Sequence, residues 1–292
     1  YNTLSHIAWF ALSMAPDGSI SNLHGWPVNG LVDLAHSHGV KVIVTVTMFD
    51  NDEIDIMLGN PASRQNAIDN LLANVLLGGA DGVNIDFEFV ESSGRENFNG
   101  FIHDLSQAFH DQIPGSEVSI AMPSVDWWNS YDYNYLSDNS DGLMIMAYGY
   151  YWSGSSHAGP LSPLNSGLSS WYIRRTIEDY LSKTGGDGSQ LILGLPWYGR
   201  DWPVTGTQMG APTTGSGSSI IYSAAEPNAQ VYGKQYNSNA PSAWYNYTSG
   251  ENRQVWFDDS LSLASKYNYA IEMDIKGVGI WALGYDGGRS EI

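Results

Sequence analysis

The nine residues Asp81-Gly82-Val83-Asn84-Ile85-Asp86-Phe87-Glu88-Phe89 hold the pattern in this chain that most directly suggests chemistry. Read as a strand, whose side chains alternate between two faces, they place Val83, Ile85, Phe87 and Phe89 on an apolar side. Asn84, Asp86 and Glu88 fall on the other. The flanks are helical in character: residues 71–80 read as an apolar helix end stopped by Gly78-Gly79, and residues 98–109 as an amphipathic helix. A strand between helices belongs to a parallel sheet covered on both sides, so an inward row of polar side chains needs a reason. That reason is acid catalysis. Same-face residues two apart lie about 7 Å from one another at a rise of roughly 3.3 Å per residue, which makes Asp86 the nearest inward neighbour of Glu88. Two carboxyl groups in a partly dry site push their pKa values apart, so one stays a proton donor while the other stays charged. Glu88, nearer the carboxyl end, is the natural acid.

The elements that must hold this strand repeat as β then α. Strand candidates are residues 4–13, 41–49, 81–89, 117–122, 141–148, 191–195 and 277–283. Helical stretches are residues 28–38, 66–77, 98–109, 171–183 and 260–272. Seven strands joined this way form either an open doubly wound sheet or a (β/α)8 barrel. No G-x-G-x-x-G or P-loop pattern follows any of them, which favours the barrel.

Composition narrows the partners. With 31 acids against 12 Lys and Arg, the formal charge of −19 repels nucleic acid and anionic lipid surfaces. The seven histidines show no H-x-x-x-H or H-E-x-x-H spacing and no Ser sits in a G-x-S-x-G elbow, so the expectation is no metal, no cofactor and no serine nucleophile. No cysteine is present, so there is no disulfide framework, and no run of about 18 apolar residues offers a membrane span. The 11 Trp and 18 Tyr suit a carbohydrate groove, because their rings stack on sugar faces while their polar edges hydrogen-bond. The first residue is not Met, which leads us to expect that a leader or other segment was removed. A secreted or cell-surface bacterial location and a monomeric state are separate expectations.

Asp81-x-x-Asn84-x-Asp86-x-Glu88 resembles the DxxDxDxE signature of family 18 glycoside hydrolases, the chitinase family, with Asn in place of the second Asp. Further stretches are similar in order. Met146 and Tyr148 match the family's MxYD strand, with Gly149 where Asp is usual; residues 159–164 (GPLSPL) match a following loop; LGLPWYGRDW at 193–202 matches GxPxYGRxW; and residues 279–286 match the last strand. The resemblance implies a TIM barrel with a small α+β insertion between strands 7 and 8, in which the chain divides as residues 1–203 (strands 2–7), 204–255 (insertion) and 256–292 (last helix and strand). By that alignment the family's first strand is absent, and we expect a trimmed version of a longer protein.

The family is a substrate-assisted exception to the two-carboxylate scheme. The resemblance therefore implies that Glu88 protonates the glycosidic oxygen, that Asp86 and Tyr148 hold the substrate's own N-acetyl group as nucleophile, and that Asp81 is a buried support beside Asn84. Trp281 is implied as the floor under the sugar, with Met146 lining the same pocket or simply filling the core. Tyr198 and Arg200 are groove candidates, although an Arg pairing structurally with an acid fits as well. Trp127 and Trp128 extend the sugar platform. Trp244 and Tyr245 either face substrate or pin the insertion to the barrel. The implied substrate is chitin or another polymer of β-1,4-linked N-acetylglucosamine. GVNIDFE also resembles a bacterial branch with spore-cortex and peptidoglycan glucosaminidases, and a catalytically silent sugar-binding lectin is the reading from another class.

Overall fold

The computed structural model describes residues 3–292, in two units, Tyr1–Met144 and Ile145–Ile292. In the first, strands and helices alternate: β1 (His6–Met14), β2 (Ile20–Asn22), α1 (Leu31–Ser37), β3 (Lys41–Met48), α2 (Asn51–Gly59), α3 (Pro61–Gly78), β4 (Gly82–Phe87), α4 (Arg95–Gln112), β5 (Glu117–Pro123), α5 (Tyr133–Asp138) and β6 (Gly142–Met146), the strand in which the division falls. The sheet order within this unit is β2-β1-β3-β4-β5, with β1, β3, β4 and β5 parallel and β2 antiparallel to β1. The β-branched run of β3 is buried from Val42 onward, as a strand covered on both faces must be. Helix α3 starts at Asn60, whose side chain accepts from the Ala62 N–H, and stops at Gly79 in the left-handed region (φ 68°). Residues 51–59, not expected as a helix, form α2 behind Asp50, which accepts from the Glu53 N–H.

Strand β4 sorts its side chains as the alternation requires. Val83, Ile85 and Phe87 are buried, and Phe87 stacks on Phe101 of α4 at 5.9 Å between ring centroids. Phe89 departs from the expected apolar face. The strand ends at Phe87, Phe89 takes φ 69°, and its ring is 50% exposed. Gly82 sets how closely β4 meets β5, because a Cβ there would lie 2.0 Å from the Glu117 carbonyl oxygen.

A repeated clasp fixes the amino ends of the strands. Asp81, just ahead of β4, accepts from the Val42 N–H of β3 and from His36 Nε2 at the end of α1, both at 2.7 Å. Asp141, just ahead of β6, accepts from the Val118 N–H of β5 at 2.7 Å and from His110 Nε2 at the end of α4 at 2.8 Å. Asp81 is therefore a half-exposed clasp at the strand's amino end, which corrects its expected place as a buried support.

The second unit contains α6 (Ile173–Lys183), β7 (Leu191–Pro196), β8 (Tyr198–Pro203), β9 (Ser218–Ile221), α7 (Tyr222–Tyr232), β10 (Gln235–Asn237), β11 (Ser242–Thr248), β12 (Asn252–Phe257), α8 (Ser260–Glu272) and β13 (Gly277–Trp281). β13 runs parallel to β7, and the Ala147 N–H after β6 donates to the Gly194 carbonyl of β7. The insertion is an antiparallel sheet in the order β10-β11-β12-β8-β9. It begins at Tyr198, ahead of the compositional change at Pro203. Its two faces follow the period of two: Trp244 and Trp256 pack with Trp202 and Leu161 on one side, while Tyr245, Val255 and Phe257 pack with Tyr222 of α7 on the other. Among the described residues all seven expected strands form, and no helix is long and apolar enough to cross a membrane.

Candidate active site

In the first unit the polar row of β4 is continued by its neighbours. Thr45 and Thr47 of β3 are buried at positions in register with Asn84 and Asp86. Ser119 of β5, in register with Asn84, donates its hydroxyl to Asn84 Oδ1 at 3.0 Å. Asn84 is thus a neutral, engaged neighbour of Asp86. Asp86 is only 5% exposed, and its Oδ1 is buried with no hydrogen-bond partner among the described residues. Burial, and then the charge of Glu88, push its carboxyl up to about 7. Glu88 follows the last residue of the strand, its N–H donating to the Met48 carbonyl at 3.1 Å, and burial raises its pKa as well. Both carboxyl groups therefore hold protons to higher pH than ordinary acids.

Tyr131, which the sequence pattern did not single out, closes this acid site. Its buried hydroxyl lies 3.4 Å from the Phe87 carbonyl, and burial raises its pKa, with the charges of Asp126, Glu88 and Asp86 adding to the rise. Asp126 holds the loop after β5 by accepting from the Ser130 and Tyr131 N–H groups at 2.9 and 3.1 Å. The same loop presents Trp127 and Trp128, 66% and 63% exposed. Nothing in the spacing of a loop tyrosine signals a buried role. Ser119 was readable only once the β4–β5 register was known.

In the second unit Met146 ends β6 and Tyr148 lies two residues beyond it, both half-buried. The Tyr148 ring meets Tyr198 edge to face at 6.1 Å, and Tyr198 meets Tyr285 at 6.5 Å, so the YGR tyrosine and the last-strand motif share one aromatic cluster. Trp281 closes β13 half-buried, its carbonyl accepting from the Trp197 N–H at 2.7 Å. Arg200 donates from Nη1 to the Gly217 carbonyl at 3.2 Å, a contact that fastens β8 to the loop before β9. Among the described residues no group of three or more His, Asp or Glu is placed to hold a metal ion.

The model of the glycosyl hydrolases family 18 matches residues 2–286. The chain belongs to this family. Among its relatives, a Bacillus subtilis protein named as a sporulation-specific glycosylase, YdhD, is 28% identical over 96% of this chain and 66% of its own length. The cortical fragment-lytic enzyme of the same organism is 26% identical over 88% of this chain and 60% of its own. The chain thus spans about two thirds of these curated relatives. The crystal structure of YdhD superposes with a TM-score of 0.83 at 27% identity, covering 96% of this chain and 91% of that one. A group IV chitinase from Ostrinia furnacalis shares the fold at a TM-score of 0.88 and 20% identity, over 97% and 85% of the two chains. These neighbours make the fold the family 18 (β/α)8 TIM barrel, with the antiparallel sheet as its insertion.

One aromatic expectation is corrected within this family 18 chain. Trp244 is 5% exposed and stacked on Trp256 at 5.5 Å, and Tyr245 is buried against Tyr232 and Phe257. Both hold the insertion together, since alternation along β11 turns one ring to each of its cores.

Proposed function

We propose that this chain is a retaining, substrate-assisted glycosidase acting on β-1,4-linked glycans that contain N-acetylglucosamine. Glu88 donates its proton to the glycosidic oxygen as the C1–O bond breaks. The acetamide oxygen of the same sugar bonds to C1, giving an oxazolinium intermediate, and Asp86 accepts the acetamide N–H. Water then attacks C1 while the Glu88 carboxylate takes its proton, and the configuration is retained. Tyr148 enters through its position in the family's sixth-strand motif, donating its hydroxyl to the acetamide. The observation that carries the reading is the buried, unpartnered Oδ1 of Asp86 beside an acid, Glu88, whose pKa burial raises. Leaving a buried acceptor unmade costs about 1–3 kcal/mol, and a substrate N–H recovers it.

Chitin is the plainest such polymer. The names of the YdhD and cortical fragment-lytic relatives support a second reading, a peptidoglycan or spore-cortex glucosaminidase. The test is proton NMR of the first product from a chitin hexamer and from its deacetylated counterpart. The reading expects β-anomer first and at least about a hundredfold preference for the acetylated polymer, within the usual reach of positioned general-acid and nucleophile effects. Equal turnover of both, or α-anomer first, would rule out substrate assistance. Binding of the hexamer without cleavage would point to a lectin.

A further inference from the structure

The turn that follows β4 decides where Glu88 points. The chain leaves the strand at Phe87, and Glu88 and Phe89 are the two central residues of the turn to Val90. Phe89 holds φ 69° there, a left-handed value that a bulky side chain takes only under constraint and that turns of this kind usually give to glycine. Its ring does not offset that strain by packing, being 50% exposed. Among the described residues no backbone hydrogen bond runs from Val90 to Phe87 to close the turn. Something else must hold it.

One side chain does. The Tyr131 hydroxyl donates to the Phe87 carbonyl, a long contact of 3.4 Å. The same oxygen takes a hydrogen bond from the backbone of Val90, whose one donor is its N–H, and this bond opposes the rise that burial imposes on the phenol. The hydroxyl thus stands between the first and fourth residues of the turn, where the backbone bond of a closed turn would lie. On the other side, the Glu88 N–H donates to the Met48 carbonyl of β3 at 3.1 Å. The peptide group that carries Glu88 is therefore gripped at both its oxygen and its hydrogen. Tyr131 is itself fixed. It is 7% exposed, its ring meets Phe98 of α4 edge to face at 5.8 Å, its N–H and that of Ser130 donate to Asp126, and the Arg95 guanidinium at the start of α4 donates to the Asn129 carbonyl. A phenylalanine would pack in the same place, but only a hydroxyl reaches the turn.

We propose that Tyr131 is a positioning residue for the acid: its hydroxyl clasps the Phe87–Val90 turn and so aims the Glu88 carboxyl at the glycosidic oxygen. The assignment rests on the glycosidase reading and adds to it a residue that acts through Glu88 rather than on the sugar. The experiment compares Tyr131→Phe with the wild type on two leaving groups. One is the sugar alcohol of a chitin hexamer or a peptidoglycan strand, whichever is cleaved, which needs the proton; the other is the phenolate of a dinitrophenyl chitobioside, which leaves without one. A misaimed acid should lower kcat on the natural glycan by about a hundredfold with KM within about twofold, and on the aryl glycoside by no more than about threefold. Equal losses on both overturn the proposal, as does no loss on either. Phe98→Leu, which loosens the ring but keeps the hydroxyl, is the packing control and should not separate the two leaving groups. Amide hydrogen exchange gives a readout that needs no activity: in Tyr131→Phe the Val90 N–H should exchange at least about tenfold faster, while Val83 and Ile85 of β4 keep their rates. If the wild type cleaves none of these compounds, the glycosidase reading fails and the exchange result alone decides whether Tyr131 holds the turn. Cleavage with unchanged Val90 exchange removes the Tyr131 assignment and leaves the glycosidase reading standing.

Discussion

At the scale of single residues, the site stores its chemistry as unfavourable burial. Asp86 rises from an ordinary carboxylate value of 3.8 to about 7 because the fold withholds water from it and sets Glu88 beside it. The native state therefore holds this proton more tightly than the unfolded chain does. The favourable difference is complete below about pH 4 and is lost as pH rises through about 7. Asp86→Asn, which keeps the shape and drops the charge, should match the wild type in stability near pH 4. It should exceed it near pH 8, by up to about 4 kcal/mol at roughly 1.4 kcal/mol for each pH unit. Chemical denaturation at the two pH values measures this, and a constant offset between them would show that Asp86 does not titrate as described. The same variant should lose activity, because Asn offers no anionic acceptor to the acetamide.

At the scale of elements, β4 is held from both ends, and the amino-end clasp is open to test. Asp81→Ala removes acceptors from the Val42 N–H and His36 together, and leaving a part-buried backbone donor unmade costs about 1–3 kcal/mol. Asp141→Ala should cost a similar amount, since the clasp repeats two βα steps later; thermal melts of both variants check the equivalence. In the insertion's exit, Lys266 of α8 is fully buried against Asp258. Lys266→Ala strands that carboxylate, and a loss of about 3–5 kcal/mol is expected in urea titrations. Much of this was legible in the sequence. Period-two alternation gave the faces of β4 through Glu88, and the Gly78-Gly79 stop gave the end of α3. The rest depends on geometry that no local pattern carries. Phe89 leaves the strand through a left-handed turn, Ser119 meets Asn84 only through register, and Trp244 exchanges a substrate role for a core because a second tryptophan, Trp256, lies across from it on β12.

At the scale of the whole molecule, a formal charge of −19 sets the background against which substrate is met. Self-repulsion of this size is screened by salt, so the melting temperature should rise by a few degrees between about 10 and 150 mM sodium chloride, where the Debye length shortens from about 30 to about 8 Å. A flat response would mean that the acids are locally compensated. The central claim is that one carboxyl group, Glu88, protonates the leaving oxygen. The measurement that bears on it most directly is the initial rate of reducing-end release from a chitin hexamer and from peptidoglycan strands, by the wild type and Glu88→Gln under identical conditions. The account predicts a fall of about 10²–10⁴-fold in the variant on whichever glycan is cleaved, with binding retained. Cleavage by Glu88→Gln at the wild-type rate would contradict it.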